Sequence, residues 1–337
     1  MLKFKTFLTE GNMAKNNARG VLHEVLVGHY LQGGKHMSQF KGKNGQSAEE
    51  QHNQIVKSGV LDKKEISRAH AQAKSAAGHL KKHIESKGHT VSHASWTSKP
   101  GDLHSATGVH AKQDEDASDI VVHTHQGHHH GVSLKISNGT SKHIPVSNMG
   151  MNSGMHKEAS KMASKHKEQI KKAHPGIPTS GGAKARKEWA RANPKSHEKV
   201  KEANRKFLNA SAGAHAKELN DHLSSGNHDH VHKHLKRVLS AHPTPMEKEG
   251  KGSHIRHLTF RKGKEGHDHH ATTAHGHLEN ITKDKNWHKH VEIKHSGSSV
   301  SYHYKGKRFA VQPHKFDSQS DPLSTLKSVG NTAGDHH

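Results

Sequence analysis

The chain has 337 residues with 53 Lys and Arg against 30 Asp and Glu, a formal charge of +23 with all 42 histidines neutral; 29% of residues are hydrophobic and 4% aromatic. Without cysteine there is no disulfide framework or thiolate zinc site, and no segment is long and apolar enough to span a membrane. The N-terminal MLKFKTFLTEGN is too short and too charged for a secretory signal, so a protein of the cell interior is expected. The sparse apolar content predicts small compact regions separated by solvated ones.

The charge excess favours a polyanionic partner. An anionic membrane surface would call for basic helices bearing large apolar residues, whereas the basic stretches here carry Ala, Ser and His. Nucleic acid is therefore the expected partner, with no membrane role. The histidines cluster at 125–131, 227–234 and 265–277 but are also scattered, with no repeated ligand spacing. That distribution reads as a substitution habit in preference to a zinc, nickel or copper site. If the rings titrate near 6.5, mild acidification should tighten polyanion binding.

Apolar residues Val21, Leu22, Val25, Leu26, Tyr30 and Leu31 recur at helical spacing, and Gly33-Gly34 ends the run; Glu24 lies inside this helix. More helix is expected over roughly 47–87, stopped by Gly88, and extended structure over 89–97. A turn-rich loop carrying Asp102, Asp114, Glu115 and Asp116 leads to SDIVVHTH (118–125). A turn QGHHHG and then GVSLKIS (131–137) complete a predicted β-hairpin, with Ile120, Val121 and Val122 supplying β-branched residues and Val132, Leu134 and Ile136 alternating. Lysine-rich helices follow from about 155 to 240, broken at 174–182 and at Asn193-Pro194. Short strands return over 253–262, 289–297 and 298–316, the last pair joined by Lys305-Gly306-Lys307.

The hairpin carries the chemistry. Asp119 heads one strand and Lys135 sits in its partner, and antiparallel pairing brings such positions within a few ångströms. Ser133 and Lys135 are two apart and project to one face. A carboxylate can hold a hard cation that polarises a phosphodiester, and a lysine beside it can stabilise the developing charge.

At these residues the sequence resembles the PD-(D/E)xK nuclease superfamily. The resemblance covers about residues 18–150 and implies a helix with an acidic residue, a strand, a second strand with a metal-binding Asp, and a third with an acidic-x-Lys pair. Glu24, Asp119 and Ser133-Leu134-Lys135 occupy those places, with serine where the second carboxylate is usual. GVSLKISNGTSKHIPVSN is similar to a Ser-x-Lys variant of some type II restriction endonucleases, which puts Asn138, Lys142 and His143 in trailing positions toward the nucleic acid.

The resemblance implies an α+β chain: a restriction-endonuclease-like mixed β-sheet core flanked by helices in residues 1–150, a basic helical insertion in 151–245, and C-terminal strands in 246–337 that complete the sheet or form a β-ribbon. It implies a magnesium-dependent DNA endonuclease, with Mn²⁺ as a substitute. Catalytic residues are Lys135, Asp119, Glu24 and Ser133. Metal ligands are Asp119 and Glu24, with Asp102 as replacement for the missing carboxylate. Lys184, Arg186, Lys187 and Arg191 around Trp189, with Lys305, Lys307 and Arg308 of the last turn, are expected to contact DNA; Trp189 has the competing role of docking its helix. Symmetric cutting would imply a homodimer. The alternative function is a non-catalytic nucleic-acid-binding or phage virion packaging protein with a degenerate nuclease fold. The first places the protein in the cytoplasm of a bacterium or phage-infected cell, the second in a virion.

Overall fold

A computed structural model describes residues 11–34, 37, 40, 47–97, 101–111, 118–137, 144–150, 157–262, 266–272 and 274–332. Its helices are α1 (Gly11–Leu31), α2 (Ala48–Ser58), α3 (Lys63–Glu85), α4 (Asp102–Thr107), α5 (Lys157–Ala173), α6 (Gly182–Ala192), α7 (Pro194–Ser224), α8 (His228–Val238), α9 (Pro245–Lys248), α10 (Ala274–Thr282) and α11 (Trp287–His290). Its strands are β1 (Val91–Trp96), β2 (Ile120–Thr124), β3 (His129–Ser137), β4 (Ile144–Gly150), β5 (Gly252–Lys262), β6 (Gly266–Thr272), β7 (Val291–Ser296), β8 (Ser299–Tyr304), β9 (Lys307–Phe316) and β10 (Leu326–Thr332). The chain is α+β and divides into two units, Met1–Lys142 with Pro243–Gly276, and His143–His242 with His277–His337.

In the first unit, capping boxes start α2 and α3: Ser47 with Glu50 and Asp62 with Glu65 each satisfy two backbone donors that the first turn leaves open. Leu22, Val25 and Leu26 of α1 pack with Ala73, Ala76, Leu80 and Ile84 of α3 against Ile120, Val122, Val132, Leu134 and Ile255 of the sheet. The sheet order is β1-β2-β3-β5-β6, with β3 and β5 parallel and every other neighbouring pair antiparallel. A parallel neighbour needs a long crossover. Here the intervening chain supplies β4 and α5–α8 of the second unit before returning as β5.

The parallel join is tight where it begins. Gly252 pairs with His129, and a Cβ on Gly252 would overlap the His129 carbonyl oxygen, a backbone atom that cannot turn away. Gly252→Ala is expected to cost on the order of 2 kcal/mol by overpacking. Urea unfolding of parent and variant measures it, and an unchanged midpoint would mean that β5 is free to shift.

In the second unit the antiparallel order is β4-β10-β9-β8-β7. The 31-residue α7 lies across β7, β8 and β9, and Ala212, Ala216 and Leu219 meet Ile293, Val300, Tyr302 and Phe309 in its core.

Histidine adds to the cores that the sparse apolar content supplies. His23, His123, His130, His254 and His257 are buried in the first unit, and His166, His215, His234 and His314 in the second. The His257 ring lies 5.3 Å from those of His79 and His269. Burial lowers the pKa of His23 and His130 to about 3 and of His314 to about 4, and holds His257 well below its usual value. Among the histidines with a resolved shift in the described residues, every one shifts downward, each chiefly through burial. The buried rings among them are therefore neutral packing groups.

Other boundaries also move. His129 and His130 belong to β3, and the hairpin turn contracts to 125–128 around Gly127 at φ 77°. The C-terminal strands divide: β5 and β6 complete the first sheet, while β7–β10 join β4 in the second, so 1–150, 151–245 and 246–337 are not the units that form.

Candidate active site

Val132 and Leu134 of β3 pack into the core shared with α1, so Ser133 and Lys135, one residue out of phase, face the other side of the sheet. Asp119 immediately precedes β2. Its N–H donates to the Val132 carbonyl (2.9 Å) and its own carbonyl accepts from Thr97 N–H (3.1 Å), which pins its backbone between β1 and β3. Asp119 Oδ2 accepts a charge-assisted hydrogen bond from the Leu134 backbone N–H at 2.6 Å, and lies 3.4 Å from Lys135 Nζ and 3.5 Å from Ser133 Oγ. Lys135 Nζ also donates to the Leu134 carbonyl at 3.2 Å.

Glu24 reaches the same end of the sheet from α1, which packs on β1 and β3. Its Oε2 is 3.5 Å from Trp96 Nε1 at the end of β1. Burial, and then the negative charge of Asp119, raise the Glu24 pKa to about 8; the Trp96 hydrogen bond and the charge of Lys135 pull it back in part. Burial likewise raises Asp119, opposed by Lys135 and the Leu134 N–H. Two carboxyl groups and an ammonium from α1, β2 and β3 thus share one electrostatic environment, in which the second carboxylate charge is costly unless a cation or proton accompanies it.

Asp102 is buried in the first turn of α4. Its neighbour Leu103 packs with Val121, which lies on the same face of β2 as Asp119, so α4 covers that face. Sequence reading missed two residues. Trp96 orients Glu24. Arg256 is the β5 partner of Ser133, buried at 6% exposure on the same face, two strands from Asp119. Burial lowers its pKa to about 10, and Glu247 opposes the shift. Arg256 stands among other polar and basic residues of β5, so no sequence signal marked it.

The residues expected to contact nucleic acid fare unevenly. Asn138, Lys142 and His143 lie outside the described residues. Lys184, Arg191, Lys305 and Lys307 are exposed, and Lys187 and Arg308 are half-buried. Lys305 lies 3.5 Å from Asp284 and over the Tyr304 ring. Arg186 has a structural partner: its Nε and an Nη each donate to Asp321 at 2.7 Å, and that carboxylate is 5% exposed. Asp321→Asn is expected to destabilise the second unit by about 3 kcal/mol by stranding the guanidinium, read as a lower thermal midpoint. An unchanged midpoint would return Arg186 to the surface. Trp189 packs with Ile170, Ile177 and Val200, the docking role.

The described residues include two groups outside the carboxylate site that could hold a metal ion, His89–His128–His130 and Glu218–His222–His230. Asp119 and Glu24 offer carboxylate oxygens, the donor chemistry that a hard cation takes. No described helix is long and apolar enough to cross a membrane. Compared with protein-family models, curated proteins and solved structures, the chain finds no match.

Proposed function

We propose that the protein is a magnesium-dependent DNA endonuclease built on a restriction-endonuclease-like core. The supporting observation is the pairing of Lys135 with Asp119 at 3.4 Å on neighbouring strands, with Glu24 of α1 near enough at the same end of the sheet for both charges to act on it, in the order the PD-(D/E)xK resemblance implies.

In this reading Asp119 and Glu24 hold the cation and Lys135 faces the scissile phosphate. Mg²⁺, when bound, polarises that phosphate and lowers the pKa of its water. The Leu134 N–H fixes Asp119, and Trp96 fixes Glu24. Lys135 places its ammonium where negative charge develops. Ser133, with its hydroxyl toward Asp119, orients a carboxylate in place of supplying one. Asp102 is the reserve ligand, and Arg256, paired with Ser133, a fixed positive charge on the Ser133 face. Exposed Lys184, Arg191, Lys305 and Lys307 contribute phosphate contacts, and Mn²⁺ can replace Mg²⁺.

The serine also favours a second reading, a non-catalytic nucleic-acid-binding or virion protein with a degenerate nuclease fold, since two carboxylates hold magnesium more weakly than three. Supercoiled plasmid incubated with the protein in Mg²⁺, Mn²⁺ and EDTA separates the two. Conversion to open-circular or linear DNA only with metal supports the nuclease. Intact plasmid under all conditions, with binding that falls steeply with salt, supports the second reading.

A further inference from the structure

We propose that His89, His128 and His130 form a second, imidazole-only metal site for a borderline divalent ion of the zinc class. Nothing in the carboxylate chemistry requires it. His130 lies across from Val122 of β2, three residues along from Asp119 and so roughly 10 Å from it at about 3.3 Å per residue, and His128 lies farther still, in the hairpin turn.

Each histidine comes from a different part of the first unit: His89 follows α3, His128 closes the hairpin turn, and His130 lies on β3. One nitrogen from each ring falls within 4.8 Å of the other two. His89 Nδ1 and His130 Nε2 are 2.9 Å apart, and the ring centroids of His128 lie 4.6 Å from His89 and 4.8 Å from His130. Tetrahedral zinc with bonds near 2.05 Å separates its ligand atoms by about 3.3 Å. The cluster therefore needs to open by only a few tenths of an ångström at its closest pair.

The surroundings already hold these rings in place. His130 is fully buried, and its Nδ1 lies 2.8 Å from Ser253 Oγ on β5. With Ser253 Oγ accepting from Nδ1–H, Nε2 is left to face the other two rings, the outer-shell arrangement that fixes a ligating tautomer. The turn bearing His128 is closed twice, by Thr124 N–H to the His128 carbonyl (3.1 Å) and by His128 N–H to Thr124 Oγ1 (3.0 Å). The segment bearing His89 is tied to the hairpin by Thr90 N–H to Gln126 Oε1 and His125 N–H to the Thr90 carbonyl, each 2.9 Å.

Donor chemistry sets the ion. Three imidazoles and no carboxylate suit Zn²⁺, with Ni²⁺ or Cu²⁺ able to substitute, and are poor ligands for Mg²⁺ or Ca²⁺. Zinc here would clip the α3–β1 loop to the hairpin and leave a fourth position for water. The two sites would load independently, magnesium at the carboxylates and zinc at the imidazoles.

The test is competition of full-length protein against a chromophoric zinc chelator, with the Co²⁺ visible spectrum as a second readout. Other surface histidines bind zinc loosely, so the quantity compared is the number of tight equivalents. His89→Gln and His128→Gln are the variants, because neither ring is fully buried. Each is expected to lose one tight Zn²⁺ and the tetrahedral Co²⁺ absorption, while Asp119→Asn keeps both. Ser253→Ala should weaken that equivalent about 10-fold. Unchanged stoichiometry and affinity in both histidine variants overturns the proposal. So does a loss confined to His222→Gln, which would move the tight zinc to the Glu218 group.

Discussion

Asp119→Asn is expected to lower Mg²⁺-dependent DNA cleavage by about 10³-fold, because it neutralises a ligand of the cation that stabilises charge at the phosphate, while DNA affinity changes little. The asparagine keeps an oxygen to accept the Leu134 N–H, so the hairpin should remain folded. It removes the negative charge that helps raise Glu24 to about 8, and the Glu24 pKa should fall toward the ordinary carboxylate range without reaching it, because burial persists. Trp96, whose indole N–H points at Glu24, reports that titration by fluorescence once Trp189 and Trp287 are replaced by phenylalanine. A variant that cuts as well as the parent removes Asp119 from the chemistry. A Glu24 titration that does not move separates the two carboxylates.

Acid is expected to unfold the first unit within about two pH units below 6.5. His23, His130 and His257 are buried and neutral, with pKa values far below that of an unfolded histidine. Below 6.5 the unfolded chain takes protons that the folded one excludes. The stability these rings contribute is thus complete above 6.5 and lost as pH falls. Each gives a slope of up to about 1.4 kcal/mol per pH unit, and three give about 4, against a typical domain stability of about 5–15 kcal/mol. Glu24 works the other way. Its raised pKa gives stability that is complete below about 4.5 and lost as pH rises through about 8. Metal-free protein should therefore be most stable near neutrality, and added Mg²⁺ should raise the thermal midpoint more at pH 8 than at pH 6. Near-UV circular dichroism across pH 4 to 9 measures both effects. Native signal persisting at pH 4 would mean that the buried histidines are not held neutral.

The sequence was informative where local pattern determines structure. The α1 apolar stripe, the β2–β3 hairpin and the phase that sets Ser133 and Lys135 on one face follow from periods of 3.6 and 2. It was uninformative where distant segments meet. Nothing near Gly252 announces that β5 lies parallel to β3 after more than a hundred intervening residues, and so Arg256 could not be placed beside Ser133. β4, β6 and β10 went unrecognised because Ser, Thr, Asn, Gly and His dilute their alternation, as in GHDHHAT. Histidine misled twice. Counted as polar, it hid core positions such as His257 and His314; counted as scattered, it hid the cluster of His89 with His128 and His130, residues some forty positions apart.

Cleavage of duplex DNA under single-turnover conditions, with parent and Lys135→Ala at equal concentrations in Mg²⁺, addresses the proposed activity most directly. Lys135 is exposed enough for its replacement to leave the fold intact. Expected is metal-dependent cutting by the parent and a loss of about 10²- to 10³-fold in the variant, with binding nearly equal. Equal cutting by both proteins, or no cutting by the parent while it binds DNA, contradicts an active site centred on the Asp119–Lys135 hairpin.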